Sequence, residues 1–86
     1  MQFEGAVIRE QNVTFAVVIV KKHVLDNTIE ANRAIRSFGS VFPGMPVVLM
    51  AQDSRGRASY FGRRDISQFM ARVPLNAVRW KRYTLN

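Results

Sequence analysis

The chain has 86 residues, 9.8 kDa and 48% apolar composition, which suits one small folded domain and leaves no room for a second. It has no cysteine, which excludes disulfides, thiol nucleophiles and Cys-ligated zinc. The mostly apolar stretch 13–20 is far shorter than the ~20 residues a spanning helix needs. Met1–Gly5 shows no basic-then-apolar leader. The expectation is a soluble protein of a reducing, cytoplasmic compartment, without membrane span, metal or cofactor.

The net charge of +7 is unevenly placed. Residues 1–54 balance five cations (Arg9, Lys21, Lys22, Arg33, Arg36) against five acids (Glu4, Glu10, Asp26, Glu30, Asp53). Residues 55–86 set eight cations against Asp65 alone, so the last third carries the whole surplus. Such asymmetry points to an anionic partner: nucleic acid, an acidic protein or a membrane surface. Arginine outnumbers lysine ten to three, and its planar fork suits phosphate and carboxylate. A GC-rich genome produces the same bias with no function attached.

In chain order, Phe3–Arg9 reads as a strand, 10–12 as a turn in which Asn12 tolerates the left-handed region, and Val13–Lys22 as a Val/Ile/Phe-rich second strand. Ala31, Ala34, Ile35 and Phe38 then fall at i, i+3, i+4 and i+7, the apolar stripe of a helix. Asn27 with Glu30 suits its start and Gly39 its end. Pro43 to Pro46 delivers the chain into a strand at Val47–Ala51. Asp53–Gly56 has turn chemistry, and Arg57–Gly62 returns as the partner strand. Ile66, Phe69, Met70 and Val73 repeat the helical stripe, with Asp65 and Gln68 at capping-box spacing and Pro74 as the stop. Val78–Leu85 reads as a last strand, Val78 and Trp80 on one face and Arg79, Lys81 and Tyr83 on the other.

These elements make a single α+β domain of order ββαββαβ, with a mixed sheet and two amphipathic helices. Residues 13–20 and 47–51 are apolar at odd and even positions alike, the mark of strands covered on both faces. Either one helix lies on each face, or both share a face and a second protomer covers the other. The first is favoured for the monomer. A homodimer is still expected, because one helix covers only part of a five-stranded sheet.

Taken in order, residues 13–73 resemble the second half of a thioredoxin-like fold. A buried strand and a helix are followed by a proline opening the next strand (Met45-Pro46-Val47), then a hairpin, Gly62 and a closing helix. The resemblance implies helices on opposite faces and a cis Met45–Pro46 bond. The half that would carry the cysteine pair is missing and a strand is added at the end, so no redox activity is implied.

The strongest functional signal is basic residues interleaved with aromatics. Arg55, Arg57, Arg63, Arg64, Arg79, Lys81 and Arg82 would contact phosphates, with Tyr60 and Tyr83 as stackers, the chemistry of single-stranded nucleic-acid binding. The plainer reading is that Phe61 and Trp80 are core residues and the arginines decorate the wet face. The expectation is a non-catalytic binding module whose C-terminal basic face gathers these groups together. The alternative is a protein-interaction or homo-oligomeric subunit in which Trp80 and Tyr83 of the last strand form the interface. A small ribonuclease built on His23, the one histidine, is a minor alternative, because neither Asp26 nor Ser40, Ser54 or Ser59 is spaced as in a known hydrolase.

Overall fold

The computed structural model describes residues 1–10 and 12–86. Its elements are β1 (Gln2–Glu10), β2 (Val13–Ile19), a one-turn helix α1 (Lys22–Asp26), α2 (Thr28–Gly39), β3 (Val47–Gln52), β4 (Ala58–Phe61), α3 (Arg64–Met70), a 3-10 turn (Leu75–Ala77) and β5 (Lys81–Thr84). The five strands form one mixed sheet in the order β4-β3-β2-β1-β5, parallel only between β2 and β3. No helix among the described residues is long and apolar enough to cross a membrane.

The doubly apolar central strands are explained by two cores. Ala16, Val18, Val47 and Leu49 point to one face, where Phe3, Ala31, Phe38 and Phe42 complete a cluster beneath α2. Phe15, Val17, Val48 and Met50 point to the other, under Ile66 and Met70 of α3. One longer helix therefore lies on each face, the arrangement favoured from sequence. Burial of these side chains drives the fold, at roughly 1.5–3 kcal/mol for each large one.

Local signals hold at several places. The Asn27 side chain accepts from the Glu30 N–H at 3.1 Å and caps α2. Asn12 takes a φ of +66°, and Gly56 closes the β3–β4 turn at +79°. Gln11, part of the expected first turn, lies outside the described residues.

Four details differ from the sequence reading. The second strand stops at Ile19, and Lys22–Asp26 coils instead, fastened by a 2.6 Å contact from Lys22 Nζ to Asp26 Oδ1 at i,i+4 spacing. Asp65 does not cap α3; Arg63 holds the cap position with no side-chain hydrogen bond there, and α3 ends at Met70. The last strand covers only Lys81–Thr84, because Leu75–Ala77 coils first and Val78 to Trp80 lead out of that coil. The Met45–Pro46 bond is trans, against the thioredoxin resemblance, although the opposed helices agree with it.

Candidate anion-binding edges

Sheet order decides where the basic residues go. β4 and β5 are the two outer strands, four strand spacings or roughly 19 Å apart. Arg55 and Arg57 stand at one end of β4, in the turn from β3, and Arg63 and Arg64 at its other end, where the chain enters α3. Lys81 and Arg82 belong to β5 on the opposite edge, and Arg79 lies two residues before that strand. The expected single basic face from hairpin tip to chain end is therefore split into two groups on opposite edges. The reason is that β5 returns beside β1 rather than beside β4.

All eight cations of residues 55–86 are exposed. Two are partly neutralised by local acids. Arg57 Nε donates to Asp53 Oδ2 at 3.0 Å, while Asp53 Oδ1 accepts the backbone N–H of Arg55 and Arg57, each at 2.9 Å. Those backbone donors, the Arg57 N–H foremost, hold the Asp53 carboxyl below its ordinary value. Arg63 grips Asp65 through two bonds of 2.8 and 2.9 Å, and this is the main reason the Asp65 carboxyl is lowered too. Among the described residues, the other six, Arg55, Arg64, Arg72, Arg79, Lys81 and Arg82, have no carboxylate within 4 Å. Glu4 is the cross-strand partner of Arg82 in register, yet the two form no ion pair.

On β5 the side chains alternate. Tyr83 enters the α2-side core, so Arg82 stands on the α3 side, where it lines a hollow with Gln2, Glu4 and Ile19. Lys81 shares the Tyr83 side. The two cations thus straddle the edge.

The aromatic residues are engaged inside the chain. Tyr83 stacks on Phe3 at a centroid distance of 5.5 Å and meets Phe42 edge-on at 4.9 Å. Tyr60 packs against the α3-side core, and its hydroxyl is buried without a hydrogen-bond partner among the described residues. Trp80 packs on the same core and its indole N–H donates to the Leu75 carbonyl at 3.2 Å. Both tyrosines are thus half-buried and packed against the cores.

His23 is exposed on α1. Asp26, its sequence neighbour, is held by Lys22, and the described residues contain no cluster of three His, Asp or Glu able to hold a metal. His23 instead lines a cleft beside α2 with Lys21, Glu30 and Arg33, a juxtaposition the sequence reading missed. The i,i+4 pair Lys22–Asp26 around Val24-Leu25 was the available signal that these residues coil. No protein-family model, curated protein or solved structure matches the chain.

Proposed function

We propose that the protein is a non-catalytic binding module for a polyanion, nucleic acid first, held by phosphate contacts at the two basic edges of the sheet. The observation that carries this reading is the set of six exposed cations with no carboxylate within 4 Å among the described residues, all but Arg72 at or beside the two outer strands, contributed by a segment whose only acid is Asp65. With Tyr60 and Tyr83 engaged in the cores, the reading drops base stacking and keeps backbone contacts, which carry no sequence information. A ligand long enough to reach both edges would gain from each, whereas a short one would occupy a single edge.

Like charge on both open edges has a second consequence. Two copies joined along β5 would bring Lys81 and Arg82 against their equivalents, and antiparallel pairing of β4 would set the Arg57 end of one copy beside the Arg63 end of the other. Basic residues on an edge discourage such pairing. This weighs against a dimer built on the last strand.

The test is fluorescence anisotropy with labelled single- and double-stranded oligonucleotides over a salt series. Affinity should fall linearly on a log–log plot, and Arg55→Ala or Arg64→Ala should each lower the slope by about one. Absence of binding at low salt would refute the proposal.

A further inference from the structure

α2 leaves part of its side of the sheet uncovered. Between α2, α1 and the start of β1 lies a cleft of about 780 Å³. Its floor is apolar, formed by Phe3, Val20, Ala34, Phe38 and Leu85. Its rim carries Lys21 and His23 at the entry to α1 and the charged Glu30 and Arg33 on α2. The volume falls in the range of small-molecule sites, roughly 300–1,000 Å³.

We infer that this cleft binds a small amphipathic carboxylate, a medium-length alkyl or aromatic acid, with its apolar body on the floor and its anionic head between Lys21 and Arg33. Charge complementarity selects that class. Lys21 and Arg33 both line the cleft and neither has a carboxylate within 4 Å among the described residues. Glu30, the one acid at the rim, lies in the first turn of α2, where the positive end of the helix favours it. A cationic head would meet two positive groups, and an uncharged one would leave both unused. The cleft is on the α2 side and uses none of the six cations of the proposed polyanion site, so either proposal can fail without the other.

Isothermal titration calorimetry with decanoate, below its micelle concentration, decides the matter. Saturable one-to-one binding is expected, with Arg33→Glu weakening it by about tenfold or more while leaving the thermal unfolding midpoint near that of the wild type. Ser37→Trp, at an exposed rim position, should block entry. Three results would each overturn the inference: no saturable binding, equal affinity for decyltrimethylammonium, or wild-type affinity in both variants. Sedimentation run alongside covers the remaining occupant, since a dimer that decanoate dissociates would mean that a second copy fills the cleft.

Discussion

Phe3 and Tyr83 are direct cross-strand partners, and their rings stack with centroids 5.5 Å apart and planes inclined by 17°. This pair fastens β5, four residues long and attached to the sheet only through β1, to the α2-side core. Tyr83→Ala should therefore destabilise the protein by about 2–4 kcal/mol, whereas Tyr83→Phe should cost less than about 1 kcal/mol. Urea unfolding measures both. Oligonucleotide affinity should be unchanged in Tyr83→Phe, which keeps the ring packed on Phe3 and Phe42 and removes only the hydroxyl; a marked loss would mean that the hydroxyl contacts the nucleic acid.

Tyr60 gives a prediction with a definite sign. Its hydroxyl is buried without a hydrogen-bond partner among the described residues, and burial raises its pKa above the ordinary 10.0. The folded state thus holds the phenolic proton to higher pH than the unfolded chain does. The tyrosine's contribution is constant below about pH 10 and declines as pH rises from there through the folded value. Tyr60→Phe should match or exceed wild-type stability at neutral pH by up to about 1 kcal/mol, since no hydrogen bond is lost. It should also lose less stability than wild type between neutral pH and pH 11. An identical alkaline decline in both proteins would show that the hydroxyl is solvated.

Asp53 and Asp65 moderate the proposed β4 site. Each binds one arginine of a pair, Arg57 and Arg63, and among the described residues leaves Arg55 and Arg64 without a carboxylate partner. Asp53→Asn keeps an oxygen to accept the backbone N–H groups of Arg55 and Arg57 while removing the charge. Together with Asp65→Asn it should tighten oligonucleotide binding several-fold at low salt and steepen the salt dependence. Unchanged affinity would exclude this edge from the contact. Because both carboxyls are lowered in the folded protein, their contribution to stability is present above about pH 3.8 and fades as pH falls through the lower folded values. The double variant should therefore show a flatter acid limb in its stability profile.

Much of the fold was legible because its signals are local or periodic. The stripe Ala31, Ala34, Ile35, Phe38 and the cap at Asn27 fix α2 without reference to anything distant, and the apolar faces of Val13–Ile19 require cover on both sides. The candidate site was less legible because it depends on pairing between distant segments. The adjacency of Arg82 in sequence to the other cations says nothing of β5 returning to β1, four strands from Arg55. The packing of Tyr83 against Phe3 and Phe42 was hidden for the same reason. The opposite faces read for Trp80 and Tyr83 are those observed, but that Tyr83 enters a core depends on where Phe3 and Phe42 lie. The cleft at His23 was hidden by the unforeseen helical turn Lys22–Asp26.

Gly62 turns the chain from β4 into α3 and so places Arg63 and Arg64. Its φ is +146°, a region that residues with a side chain rarely enter. A Cβ there would lie 3.1 Å from Val48 Cγ2, 3.2 Å from Val48 Cα and 3.3 Å from the Val47 carbonyl, so the backbone of the central strand β3 is part of the obstruction. Two costs combine in Gly62→Ala: the strained dihedral and displacement from a fully buried Val48. Together they should destabilise by about 1–3 kcal/mol. Because the strain sits beside the arginine pair at the entrance to α3, the same variant should weaken oligonucleotide binding at a temperature where it remains folded. Arg79→Ala, beside the far edge, should weaken binding without touching stability. Denaturant unfolding and anisotropy on the two variants separate the effects: a Gly62→Ala protein as stable as wild type would mean that the turn relaxes freely.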